Sequence, residues 1–256
     1  MNRKIDINSD LGESFGAYTI GADEQVLAQI TSANIACGWH AGDPLVMENT
    51  VLLAKAQGTA VGAHPGFPDL MGFGRRNMNV STAEAAAYVK YQTGALAAFI
   101  RAAGMKMQHV KLHGAFYNMA AKDSELAKAV CEAVAQVDES LILLGPSGSC
   151  LISAARECGL RAACEVFADR AYQEDGSLMP RTMPGSVIRD ENEALERVLR
   201  MVEEGTVVSA SGAVIPLEVQ SVCVHGDNPK ALEFAGRIRR ELESRGITVA
   251  PFGRFV

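Results

Sequence analysis

The chain has 256 residues, with 24 Lys and Arg against 30 Asp and Glu, for a formal net charge of −6. Hydrophobic residues make up 48% and charged residues 21%, which excludes a disordered, collagen-like or disulfide-stapled protein. A mildly acidic chain also argues against sequence-independent nucleic-acid binding, which depends on neutralising phosphates.

The N-terminus MNRKIDINSD has basic residues but no apolar run behind them, and no apolar stretch approaches the ~18 residues of a membrane span. The six cysteines show no CxxC spacing and are expected as free thiols in a reducing cytoplasm. Short apolar runs predict strands over 4–9, 32–36, 60–64, 109–112, 141–145, 162–167, 221–224 and 247–249. Helical patterns fall between them, over 23–29, 44–57, 82–103, 124–135, 149–158, 191–203 and 230–244. Pro44 after Asp43 and the Ser81/Glu84 capping box mark helix starts. Gly58, Gly104, Gly159 and Gly246 stand where helices end before strands. Strand followed by helix, repeated about seven times, predicts a parallel sheet. The longest irregular stretches, 65–80 and 169–189, both follow strand ends. A closed or nearly closed β/α barrel is therefore expected, in a single domain over residues 1–256. An open doubly wound sheet is the alternative, and no GxGxxG supports it.

In such a barrel the functional groups gather at the C-terminal strand ends. His40, His64, His113 and His225 all lie at or just beyond predicted strand ends, whereas His109 begins its strand and reads as structural. In IDINSDLGE, Asp6, Asn8 and Asp10 share one strand face. Inward polar residues are costly unless they serve a site, and Glu13 follows them closely. The D-x-N-x-D spacing is not an EF-hand, because its glycine is seventh and its twelfth residue is Ala17. Lys111 and His113 share a face, as do Glu165 and Asp169. Lys111 is suited to an anion, a Schiff base or a buried ion pair. Arg75, Arg76, Arg170 and Arg181 lie in the long loops, where they are candidates to clamp a carboxylate or phosphate or to bridge loops. Cys37 reads as a small buried residue rather than a nucleophile. The chain contains no GxxxxGK[ST], so no ATP cradle of that kind is expected in it.

DINSDLGE, NIACGWHAGDP, GAHPGFPDLMGFGRR, VKLHGAFYN, EVFADRAYQEDGSLMPR and CVHGDNP follow one another across nearly the whole chain. This ordered set closely resembles the LamB/YcsF family from Lys4 to about Phe252. Leu112 and Phe116 depart from the expected pattern without replacing a polar group. The resemblance implies a (β/α)7-like barrel related to polysaccharide deacetylases. It also implies the A subunit of a 5-oxoprolinase, which works with separate B and C subunits. The implied reaction is 5-oxo-L-proline + ATP + 2 H2O → L-glutamate + ADP + phosphate, with ATP as co-substrate of the complex and no tightly bound organic cofactor. In this reading Asp10, Glu13, His64 and His113 surround the reacting carbon, and Lys111 and Arg181 hold negative charge. Glu165, Asp169 and His225 orient water or the ring nitrogen, while Asn8, His40, Arg75, Arg170 and Asp227 contact substrate. Two other functions remain open: a stand-alone metal-dependent deacetylase or amidohydrolase holding its ion with Asp10, His64 and His113, and a non-catalytic 5-oxoproline binder. A Schiff-base aldolase using Lys111 is a weaker third.

Overall fold

Seven parallel strands close into a ring in the computed structural model, which describes residues 3–224 and 229–256. His225 and Asp227 lie outside the described residues. The chain runs β1 (Lys4–Leu11), α1 (Asp23–Leu27), β2 (Ser32–Ala36), α2 (Pro44–Gln57), β3 (Ala60–His64), α3 (Thr82–Ala102) and β4 (Met107–Val110). It continues through α4 (Gly114–Ala120), α5 (Ser124–Val137), β5 (Ile142–Pro146), α6 (Cys150–Glu157), β6 (Arg161–Phe167) and α7 (Glu191–Glu204). The last elements are β7 (Thr206–Val208), β8 (Val214–Pro216), β9 (Ser221–Cys223), α8 (Pro229–Ser244) and β10 (Thr248–Val249). Strands β1 to β6 pair in chain order, and β9 pairs with both β6 and β1. That double pairing closes a (β/α)7 barrel. β10 pairs with β1 outside the ring, at Lys4 and Ile5.

The helix starts follow the local chemistry. Asp43 accepts the N–H groups of Leu45 and Val46 at 2.9 and 3.0 Å. Ser81 and Glu84 complete their reciprocal capping box. Gly58, Gly104, Gly159 and Gly246 all adopt the left-handed backbone of helix ends.

Four elements differ from expectation. Strand β4 ends at Val110, so Lys111 lies beyond the strand and His113 caps α4. The sequence disguises α4, because its buried residues Ala115, Phe116, Tyr117 and Ala120 continue the apolar run of the strand. The antiparallel pair β7–β8 was not expected either, since two three-residue strands are too short to show a period-2 pattern.

The floor of the barrel is apolar. Phe252 packs with Ile142, Leu144 and Ala163, and its ring meets that of His109 at 5.0 Å. The first strand stands above this floor with its polar face inward. Register sets Asp6 opposite Ser221, Asn8 opposite Ser32 and Cys223, and Asp10 opposite Asn34. These pairings stack polar layers up the barrel axis towards the mouth.

Candidate functional site

The lowest layer is a hydroxyl cage around Asp6. Thr31 Oγ1 and Ser32 Oγ each donate to Asp6 Oδ1 at 2.6 Å, and Ser221 donates to the other oxygen. Burial pushes the Asp6 carboxyl up to about 6 despite these three donors.

The middle layer is ionic. Lys111 Nζ lies 3.0 Å from Glu165 Oε2, 3.1 Å from Asp10 Oδ1 and 3.2 Å from Asn8 Oδ1. Glu165 also accepts from the Tyr117 hydroxyl at 2.6 Å. Burial opposes the Lys111 charge, yet Asp10, Cys223 and Glu165 hold the ammonium well above its usual range. An ammonium held between two carboxylates is a poor Schiff-base nucleophile, which disfavours the aldolase reading. Asn8 is fully buried and its amide is committed: it donates to Ser221 and Glu165 and accepts from Asn34 and Lys111. Asn8 therefore braces the site rather than reaching a ligand at the mouth.

Asn34 links this layer to the barrel wall. It donates to Asp10 Oδ1 at 2.8 Å and accepts from His109 Nε2 at 2.7 Å. The other His109 nitrogen meets Gln108 Nε2 at 3.3 Å, so both of its nitrogens are engaged. The ring enters the barrel across Gly62, where an added Cβ would lie 2.4 Å from it.

The top layer joins residues from four strand ends. Asp10 Oδ2 is 3.3 Å from His64 Nε2, which in turn is 2.9 Å from His113 Nδ1. The His113 ring stacks on His40 with centroids 3.6 Å apart and planes 4° from parallel. Glu13 Oε1 lies 3.4 Å from His40 Nε2 and 3.7 Å from His113 Nδ1. Asp10 is 21% exposed and Glu13 14%, so these two carboxylates face the mouth whereas Glu165 is sealed below them. Burial works against ionisation of Asp10, but His64 and Lys111 hold its carboxyl well below the usual range. Burial pushes His113 down to about 3 and His40 well below its ordinary value, so both imidazoles are neutral at pH 7.

Loop packing aims the histidines. Trp39 turns outward against Tyr88 and Tyr91 of α3, at ring separations of 4.8 and 5.4 Å, which leaves His40 pointing inward. The buried amide of Gln92 pairs with both backbone groups of Gly66 at 2.9 Å and pins the 65–80 loop over the barrel. In that loop Phe73 adopts φ 53°, unusual for a non-glycine residue, and its carbonyl accepts from His113 Nε2 at 2.9 Å. Glu13, His40, His64 and His113 bring one ligand atom each to within 4.8 Å of one another, a donor set of the kind that holds a metal ion.

The sequence of this chain matches the LamB/YcsF family over residues 5–256. The chain belongs to the LamB/YcsF family. It is 60% identical, over 97% of both chains, to a Clostridium beijerinckii protein named as the A subunit of 5-oxoprolinase. A Pyrococcus furiosus protein of the same name is 55% identical over 99% of both. The crystal structure of a lactam utilization protein from Thermus thermophilus superposes with a TM-score of 0.91 at 47% identity, covering 96% of this chain and 99% of that one.

Of the site residues expected from sequence, this LamB/YcsF barrel brings together Asn8, Asp10, Glu13, His40, His64, Lys111, His113 and Glu165. Arg170 and Arg76 are committed to partners in their own loops. Arg170 is buried and donates to the backbone carbonyls of Ser186 and Met179, so it braces its own loop instead of clamping an anion. Arg75 is exposed, with its guanidinium 4.9 Å above the Phe73 ring. Arg76 pairs with Asp69, and Arg181 is exposed on the loop after β6. Asp169 is half-buried at the start of that loop. Burial pushes the Cys37 thiol up to about 12, consistent with a packing role. Sequence reading missed Asn34 and Tyr117. Asn34 left one signal, as the lone amide in the otherwise small and apolar run SANIA.

Proposed function

We propose that this chain is the A subunit of a cytoplasmic 5-oxoprolinase, a single-domain hydrolase that opens the lactam of 5-oxo-L-proline to L-glutamate with separate B and C subunits and ATP. The near-full-length similarity to proteins named as the A subunit of 5-oxoprolinase carries this reading. Among the described residues no helix is long and apolar enough to cross a membrane.

A five-membered lactam is a stable amide with a poor leaving group. Transfer of the γ-phosphoryl group of ATP to its carbonyl oxygen makes C5 electrophilic. One water adds to C5, and the C5–N bond then breaks, with a proton delivered to the departing nitrogen. This leaves an acyl phosphate, which the second water hydrolyses to the carboxylate and phosphate.

The layers of the site suit these steps. Asp10, ionised and turned to the mouth, is assigned to accept the proton of the attacking water. Asp10 then returns that proton to the departing ring nitrogen, while His64 and His113 beside it line the reacting end of the site. Glu13 faces the same space and orients the incoming water. Lys111, buried beneath Asp10 and 3.1 Å from its Oδ1, acts through that carboxylate. Glu165, Asn8 and Asn34 hold Lys111 and Asp10 in place and are positioning residues. Arg75 and Arg181, on the long loops, are assigned to the substrate carboxylate and phosphate, and Asp169 to the ring nitrogen. His225 and Asp227 keep the roles given them by the family resemblance.

The test is glutamate release from 5-oxoproline by the purified chain, alone and with the B and C subunits, with and without ATP. Turnover is expected only with all three subunits and ATP, and it should fall by at least about a hundredfold in Asp10→Asn. Turnover by the chain alone without ATP overturns the reading in favour of a self-sufficient hydrolase. Undiminished turnover in Asp10→Asn would leave this chain a binding subunit.

A further inference from the structure

His64 Nδ1 lies 2.8 Å from the carbonyl oxygen of Lys111, and His113 Nε2 lies 2.9 Å from that of Phe73. A carbonyl only accepts, so each of these ring nitrogens carries a hydrogen and donates it. The remaining nitrogens, His64 Nε2 and His113 Nδ1, are the two left to take a proton or a metal ion. Those two nitrogens face each other at 2.9 Å. Two imidazole nitrogens at that distance share a proton or a metal ion.

His40 supplies an independent observation. It is fully buried, and neither ring nitrogen has a hydrogen-bond partner among the described residues. His109, equally buried in the same barrel, is the internal contrast, with both nitrogens engaged. A buried imidazole with neither nitrogen hydrogen-bonded is uncommon in a folded protein. His40 Nε2 lies 3.4 Å from Glu13 Oε1, the carboxylate atom that is also 3.7 Å from His113 Nδ1.

We propose that Glu13, His40, His64 and His113 hold one divalent transition-metal ion. Three imidazole nitrogens and one carboxylate oxygen favour a borderline ion such as Zn2+, Co2+ or Ni2+ over Mg2+ or Ca2+, which take oxygen ligands. Two nitrogens bound to one such ion at ~2.0–2.1 Å sit about 3 Å apart at a right angle, close to the spacing of His64 and His113. The Lys111 and Phe73 carbonyls fix the ring orientations, as outer partners of metal-bound histidines do. Asp10 stands between the cluster and Lys111, with one oxygen towards each, and so separates the ammonium from the ion. The site differs from the Asp10, His64 and His113 set expected from sequence: Glu13 and His40 join it, and Asp10 faces it from beside Lys111.

The test is a titration of chelator-treated full-length chain with Co2+, followed by its visible absorption. Saturation at one ion per chain is expected, with the intense band of a low-coordinate site and displacement by Zn2+. Glu13→Gln and His40→Gln should each weaken binding at least about tenfold. Circular dichroism and urea midpoints of the metal-free variants check that they remain folded. A readout without variants is the 15N spectrum of labelled histidines: Zn2+ should shift His40, His64 and His113 and leave His109 in place. No saturable Co2+ band in the folded wild-type chain overturns the proposal and leaves a proton between His64 and His113. Binding unaffected by both variants also overturns it, since the ion then lies elsewhere. The titration needs neither lactam nor ATP, so its failure is distinguishable from failure of the 5-oxoprolinase reading.

Discussion

The ammonium of Lys111 sits between two carboxylates, 3.1 Å from Asp10 and 3.0 Å from Glu165, and its side chain is only 3% exposed. Removing a cation from such a cluster leaves buried negative charge uncompensated. Lys111→Met is expected to lose on the order of 3–5 kcal/mol of stability in urea unfolding. Adding Glu165→Gln removes one of the two stranded charges, so the double variant should be more stable than Lys111→Met alone. Both should lack turnover, because Asp10 loses the group that holds it. A wild-type midpoint for Lys111→Met would show that the cluster contributes no net ionic stabilisation.

Asp6 gives a pH-dependent prediction below the reacting groups. Its ordinary value of 3.8 rises to about 6 in the fold, so the fold favours the neutral carboxyl. That contribution to stability is complete below 3.8 and is lost as pH rises through about 6. At about 1.4 kcal/mol per pKa unit, the total is on the order of 3 kcal/mol. Asp6→Asn holds the position neutral at every pH. The stability difference between variant and wild type, from urea unfolding at pH 4 and pH 7, should change by about that amount in favour of the variant. Parallel pH profiles would show that Asp6 titrates normally.

Gly62 is expected to govern Asp10 at a distance. An added Cβ would meet the His109 ring at 2.4 Å, and His109 holds the Asn34 amide that donates to Asp10. Overpacking of this kind costs typically about 1–3 kcal/mol. Gly62→Ala should therefore lower stability by that order and lower kcat more than it raises KM, since Asp10 is misdirected while the mouth is unchanged. An unchanged kcat in a destabilised protein would confine His109 to a packing role.

Much of this architecture was legible because local chemistry and global fold agree. The inward polar face of β1 announced itself by strict alternation of Asp6, Asn8 and Asp10 against Ile5 and Ile7. The capping residues Asp43 and Ser81 fixed two helix starts. What escaped depended on loop conformation or on contacts far apart in the chain. Arg170 looked like a free clamp, but its carbonyl partners belong to a loop whose path no periodicity describes. The union of Glu13 with His40 needs two loops, after β1 and β2, to fold back over the barrel. The Phe73 carbonyl meets His113 only through a left-handed backbone that a phenylalanine does not advertise.

Gly74 closes the 65–80 loop onto the histidine stack. It has φ +62°, and an added Cβ would lie 2.8 Å from both His113 Cδ2 and His40 Cβ. Gly74→Ala therefore combines a backbone penalty of roughly 1–2 kcal/mol with direct displacement of the two rings. Gly16 separates the two effects. It has a similar φ of +53°, but an added Cβ there meets nothing within 4 Å. Gly16→Ala should lose only the backbone penalty and retain turnover, measured as glutamate release by the reconstituted complex. Gly74→Ala should lose more stability and nearly all turnover. If the two variants behave alike, loop closure over the stack has no part in turnover, and the left-handed backbone alone explains the glycine.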